Sequence, residues 1–250
     1  MKYLSIVLAL FVTAGSAQAS IIAYDGFDYD TGSIVGKGSA SDPGWAEPWQ
    51  NVWAGEFDVV EGSLSYGPLA VSGNKVTSVN SAQHMFNQRD YDAVPVQPGD
   101  TVWTAYLLNV IAPPDPSATG EWLYSEQRLS GGDAKMKFGH NGDAVDTDDN
   151  RLWGLASPVT DSTEPMTPGT HFVVQKVEFL SNGTEKTMWI DPDFSTLGGP
   201  DLDPNDAILK DIFTENTGVS LTSMTLGAAS GWDFEMDEYR IGTTYADVAP

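Results

Sequence analysis

The stretch Glu121 to Leu129 carries residue types that could recognise a ligand. In an extended chain successive side chains point to opposite faces, so Trp122, Tyr124, Glu126 and Arg128 share one face while Leu123 and Leu129 share the other. With the leucines toward a core, the outward face holds two aromatic platforms and a charge pair. Sugars are bound by that combination, since their C–H faces stack on rings and their hydroxyls bond to planar polar groups. Arg151, Trp153 and Leu155 extend the surface if their strand lies alongside. A competing reading places Trp122 and Trp153 in core or edge packing. Trp45, Trp49 and Trp53 sit in a Gly/Pro-rich stretch and read as a hydrophobic plug beneath a loop, although a loop Trp can still touch a ligand.

Other reactive constellations are sparse. The three histidines, His84, His140 and His171, are far apart and none falls in a His-Glu-x-x-His pattern, so each reads as an ordinary strand or surface residue. There is no Gly-x-Ser-x-Gly elbow and no Gly-Lys-Ser/Thr phosphate loop. Lyase chemistry on a uronate needs a Tyr or His base beside a cation or amide. Tyr124, Arg128, Lys137, His140 and Gln175 supply those types, but nothing in their spacing joins them.

The elements that would position these residues are strands. Thr101 to Ile111 is rich in β-formers and bounded by Pro98-Gly99 and Pro113-Pro114. Alternation recurs over 121–129, 151–156, 171–180, 184–190, 219–226 and 234–241. Turn formers separate the runs at Gly131-Gly132-Asp133, Asn141-Gly142-Asp143, Pro168-Gly169 and Gly198-Gly199-Pro200, and Asn182-Gly183 is a hairpin signal. Asn205 to Phe213 is the one place for a short helix or turn. Many short strands, 25 Gly and 15 Pro predict an all-β, two-sheet antiparallel jelly-roll sandwich in one domain.

Composition narrows the partners. The 250 residues include 12 basic and 35 acidic side chains, a formal charge of −23, and no cysteine. Such a surface repels a phosphate backbone, so nucleic acid is excluded as an expected partner. Thiol catalysis, disulfides and thiolate zinc sites are absent with the cysteines. The hydrophobic fraction of 41%, with eight Trp, nine Tyr and ten Phe, suffices for a packed core. Met1-Lys2, the apolar run Leu4 to Val12 and Ala17-Gln18-Ala19 have the form of a signal peptide, which predicts cleavage after Ala19 and a mature domain over 20–250. The apolar run is too short to span a bilayer, so no membrane insertion is expected after cleavage.

The ends of the chain resemble a family. Ile21-Ile-Ala-Tyr-Asp-Gly-Phe-Asp-Tyr-Asp30, followed by Gly44-Trp45, resembles the opening of secreted bacterial proteins with a LamG-like, concanavalin A-like jelly roll, many of which carry a PEP-CTERM sorting tail. Met188-Trp-Ile-Asp-Pro-Asp193 resembles the family's aromatic-x-Asn-Pro turn, with Asp191 in place of Asn. Asp237-Glu-Tyr-Arg-Ile-Gly242 resembles its closing strand, with Tyr239 at an aliphatic position. The resemblance implies a concanavalin A-like fold, a class that holds both lectins and glycosidases.

Retaining glucanases of that class use Glu-x-Asp-x-Glu on one strand, which sets two carboxyl groups about 5 Å apart. The nearest string here, Glu235-Met-Asp-Glu-Tyr-Arg240, matches at Glu235 and Asp237 and fails at the third position. An ion pair between Glu238 and Arg240 is the plainer expectation on that strand. Three acidic clusters, Asp25–Asp30, Asp143–Asn150 and Asp191–Asp206, raise the question of calcium, although none has an EF-hand pattern. Because such sandwiches bring the first and last strands together, the resemblance implies a structural Ca²⁺ bridging Asp25 and Asp237. The expectation is a secreted or cell-surface module binding a polysaccharide or cell-envelope glycan without catalysis. A structural scaffold of the envelope or matrix, and a polysaccharide hydrolase or lyase, are the alternatives.

Overall fold

The computed structural model describes residues 21–78, 83–114, 122–130, 135–141, 151–156, 160–214 and 220–250. The expected signal segment 1–19, the acidic run Asp143–Asn150 and the turns at 131–133 and 142–143 lie outside the described residues. In chain order the strands are β1 (Ile21–Asp25), β2 (Gly32–Ser33), β3 (Gln50–Ala54), β4 (Asp58–Val60), β5 (Lys75–Thr77) and β6 (Met85–Pro95). There follow β7 (Thr101–Ala112), β8 (Trp122–Leu129), β9 (Lys135–Asn141), β10 (Leu152–Ala156), β11 (Thr160–Pro165) and β12 (Gly169–Leu180). The last are β13 (Gly183–Ile190), β14 (Leu209–Phe213), β15 (Ser220–Ala228), β16 (Asp233–Gly242) and a short helix α1 (Tyr245–Val248).

Two antiparallel sheets result. One runs β14-β13-β12-β7-β16-β5-β4-β2, with β1 also paired to β16; the other runs β11-β10-β9-β8-β15-β6-β3. The predicted jelly-roll sandwich is therefore the fold. The hairpin predicted at Asn182-Gly183 joins β12 to β13, which stay in register from Leu180↔Gly183 to Val173↔Ile190. Gly183 has φ +157 and a Cβ there would meet the Phe213 carbonyl oxygen, so glycine is needed for close approach of β14. The expectation of a helix or turn over Asn205 to Phe213 is half met. A turn occupies 204–206, but Leu209–Phe213 pairs with β13 as an edge strand, Leu209 and Phe213 filling the core.

Inward side chains of the two sheets form one core that includes Trp45, Trp49, Phe138, Trp153, Trp232, Phe234 and Tyr239. A second cluster covers the outer face of the larger sheet, where Trp103, Leu107, Phe172 and Trp189 pack beneath Leu64, Leu202 and α1. The smaller sheet has no counterpart cluster among the described residues, and its outer face carries the candidate residues Trp122, Tyr124, Glu126 and Arg128.

Candidate functional site

Strand β8 splits its side chains as the alternation requires. Leu123 and Leu129 enter the core, Ser125 Oγ meets the Tyr239 hydroxyl at 2.8 Å, and the Gln127 amide donates to Thr104 Oγ1. Trp122, Tyr124, Glu126 and Arg128 lie on the opposite face. Trp153 does not join them. It shares an inward face with Leu155, is 1% exposed in the inter-sheet core, and meets His171 edge-on. Core packing, the competing reading of Trp153, is what the structure has.

Register brings other residues to the β8 face. Pairing across β15 aligns Phe86 and Tyr124 on either side of Gly227, and Gln88 and Glu126 on either side of Thr225. Gly227 leaves room for the rings to close over β15, since a Cβ there would lie 2.9 Å from both Trp122 and Tyr124. The rings then continue as a column. Trp53, His84, Trp122 and Tyr124 stack in sequence at centroid separations of 5.6, 5.7 and 4.9 Å, with Phe86 edge-on to the last two. Trp53 ends the column at 56% exposure, so only Trp45 and Trp49 form the expected plug. His84 Nδ1 accepts from the Ser230 N–H at 3.1 Å, which leaves its other ring nitrogen to carry the proton.

Charge is placed at the opposite end. Glu126 is fully buried and accepts from Arg128 Nε at 2.5 Å, with Lys137 Nζ 3.4 Å from its other oxygen. Lys137 also lies 4.2 Å above the Tyr124 ring and Arg128 5.6 Å from that of Phe86. Such cation–ring contacts fix both groups over the aromatic surface. Burial and the nearby Glu126 carboxylate hold the Tyr124 phenol well above its ordinary value, so it is a hydrogen-bonding group and a ring rather than a proton acceptor. His140 and Gln175, the other members of the lyase set, are buried between the sheets, bonded to the Leu152 carbonyl and the Tyr106 hydroxyl. The five residues are not brought together.

With this geometry in view, comparisons with known proteins are informative about fold. No family model and no curated protein matches the chain. Among solved structures, the endo-1,3-beta-glucanase of Streptomyces sioyaensis aligns with 92% of this chain and 98% of its own at TM-score 0.51 and 12% identity. The shared fold is the jelly-roll sandwich. Domain 4 of an extracellular arabinanase from Geobacillus stearothermophilus, solved with arabinotriose, aligns over 93% of this chain and 99% of its own, at TM-score 0.48 and 12% identity. A protein of unknown function with a galectin-like fold from Bacillus subtilis gives 90%, 97%, 0.47 and 7%.

The remaining candidate residues are held structurally. Glu235 pairs with Lys75 at 2.9 Å and accepts from Asn109. Asp237 accepts from the Leu64 and Glu238 backbone N–H groups, and burial pushes its carboxyl up to about 8. The expected Glu238–Arg240 pair is present at 2.6 Å. Asp25 and Asp237 do not share a site. Asp25 stands opposite Tyr239 and faces the inter-sheet core, whereas Asp237 stands opposite Leu107 and faces the outer cluster. The position expected for calcium at Asp25 is taken by the Arg89 guanidinium at 2.6 Å. Among the described residues no three His, Asp or Glu converge as a metal site. Because the Arg89 guanidinium occupies the Asp25 carboxylate, chelation with EDTA is expected not to loosen this join of β1, and a fall in melting temperature on calorimetry would show that an ion is bound at another acidic cluster.

His171 has a role the sequence did not reveal. Its Nδ1 meets Asp191 Oδ2 and its Nε2 the Thr167 carbonyl oxygen, both at 2.8 Å. Asp191 has φ 52, a left-handed conformation that Asp and Asn tolerate best among side-chain-bearing residues, so its position in the turn is conformational as well as ionic. Burial opposes the His171 charge, but the two acceptors and the Asp191 charge outweigh it and raise the pKa above 6.5. A raised folded-state value means the contribution is full below the unfolded pKa and fades as pH rises through the folded one. Urea titrations from about pH 6 to 8 are expected to show His171→Gln with a shallower decline in stability than the parent. Parallel curves would remove His171 from this role.

Proposed function

We propose that this protein is an exported module that binds a polysaccharide or cell-envelope glycan on the outer face of the smaller sheet. The observation that carries the reading is the column Trp53–His84–Trp122–Tyr124 ending in a Glu126–Arg128–Lys137 charge cluster. Rings supply stacking surface and the charged cluster supplies fixed donors, which is the chemistry sugars require. The signal-like segment 1–19 and the LamG-like and PEP-CTERM resemblance support a secreted or cell-surface bacterial location. The jelly-roll fold shared with an endo-1,3-beta-glucanase is in keeping with it. Two observations favour binding over hydrolysis. Glu126 is flanked on β8 by Tyr124 and Arg128 instead of by carboxylates, and the partial glucanase string lies on the other sheet with its acids engaged.

The test is retention in native gels containing soluble polysaccharides, together with a glycan array. At least one polymer is expected to retard the protein, and product assays for new reducing ends or unsaturated sugars are expected to stay at background. Migration unchanged across all polymers would leave the scaffold reading in its place.

A further inference from the structure

The charge cluster at the end of the aromatic column is lopsided in what it shows to solvent. Arg128 and Lys137 approach Glu126 at 2.5 and 3.4 Å, and their side chains are 32% and 20% exposed while that of Glu126 is not exposed at all. Two cations face one carboxylate, which leaves one positive charge in surplus. A ligand arriving at this end of the column therefore meets cations, and the balancing carboxylate lies beneath them.

Register explains the difference in exposure. Glu126 stands between Lys137 of β9 and Thr225 of β15, so its carboxylate is enclosed from both sides. The longer Arg128 and Lys137 side chains carry their charge past it to the rings of Phe86 and Tyr124. The bond to Glu126 uses one of the five N–H donors of the guanidinium. Asp90, the outward carboxylate of β6, stands beyond Ser223 from Arg128, two strand spacings or about 9.5 Å away, and is engaged by the Gln88 amide.

Covering this cluster with a ligand removes water from a net positive charge. A neutral hydroxyl leaves that charge uncompensated, and desolvating it costs more than one neutral hydrogen bond returns. A carboxylate or sulfate compensates it, and a guanidinium beside an ammonium suits the oxygens of either group. The chain's charge of −23 does not prevent this at contact range, because at about 0.15 M salt the field of exposed charges is screened beyond about 8 Å. A nucleic acid, by contrast, needs cations repeated along its backbone. We propose that the aromatic column binds an acidic polysaccharide, with the rings stacking on sugar faces and Arg128 and Lys137 together holding a carboxylate or sulfate of the same polymer. This specificity rests on the glycan reading above.

The experiment measures binding of the full protein, at about 0.15 M salt, to two matched pairs of polymers: polygalacturonate with its methyl ester, and dextran sulfate with dextran. At least one acidic polymer is expected to bind about tenfold or more tighter than its neutral partner, the scale of one charge-assisted contact. A preference in the first pair identifies a uronate, and one in the second a sulfated sugar. Lys137→Gln and Arg128→Gln are each expected to weaken the acidic polymer about tenfold and to keep a cooperative thermal melt, since the remaining cation still neutralises Glu126. Trp53→Ala is expected to weaken both members of a pair alike, so the ratio within a pair reports charge apart from stacking. Equal or tighter binding of the neutral members overturns the acidic class and leaves the glycan reading standing. A preference that survives both charge variants overturns the assignment to Arg128 and Lys137. Binding to none of the four polymers overturns the acidic class as well, and the glycan array then decides the broader reading by itself.

Discussion

Replacing Arg89 by alanine is expected to lower stability by about 3–5 kcal/mol at neutral pH, the cost of leaving one member of a buried ion pair alone. Both partners are nearly inaccessible, Arg89 at 1% and Asp25 at 3%. The guanidinium does more than pair. It reaches Asp25 and the Tyr29 hydroxyl through Nη1, Asp42 and the Ser39 carbonyl through Nη2, the Glu47 carbonyl through Nε, and lies 4.5 Å from the Trp45 ring. One side chain of the smaller sheet thus ties β1 to the whole loop between β2 and β3.

The pH dependence of that loss identifies its cause. Burial pushes the Asp25 carboxyl up, and Arg89 with the Phe27, Trp49 and Tyr29 donors pulls it back. Without Arg89 the folded-state pKa rises further, so the variant gains relative stability at low pH and loses it as pH rises. Urea unfolding is expected to show a larger deficit near pH 8 than near pH 5. Asp25→Leu combined with Arg89→Met is expected to recover most of the loss, because no uncompensated charge remains. A deficit below about 1 kcal/mol at neutral pH, the range of exposed pairs, would show that the cluster is a surface contact in solution.

This cluster also explains what the sequence hid. β6 went unrecognised because two of its inward positions are Asn87 and Arg89, which serve the Phe57 N–H and Asp25 from within the core. Polar residues on an inward face erase the hydrophobic alternation by which a strand is read. β7 and β12 were legible because apolar residues on both faces outnumber the inward Thr104 and Gln175, and the Asn-Gly turn fixes the register of β12 with β13. At the candidate site, the four residues on one face of β8 follow from strand geometry alone. Trp53, His84 and Phe86 were not accessible that way. They reach β8 only through the pairing of β15 with β6 and of β6 with β3, contacts between segments far apart in the chain. Trp53 was grouped with Trp45 and Trp49 by proximity in sequence, and the edge-strand position of β3 is what turns it outward.

The column makes a graded prediction for binding. Among the described residues Trp53 has a ring partner on one side only, and it is more than half exposed, so Trp53→Ala removes stacking surface while leaving the core intact. Loss of an aromatic anchor typically costs 2 kcal/mol or more, so glycan affinity is expected to fall by about thirtyfold. Its melting temperature is expected to change little, as for other exposed substitutions. Trp122 differs because it stacks on both His84 and Tyr124 and meets Phe86 edge-on. Trp122→Ala should therefore reduce both affinity and stability, since the rings on either side lose the surface that positions them. Affinity electrophoresis and thermal melts on the two variants distinguish a ligand platform from packing. If Trp53→Ala binds as tightly as the parent while Trp122→Ala only unfolds more readily, the column is a structural stack and the glycan-binding face lies elsewhere.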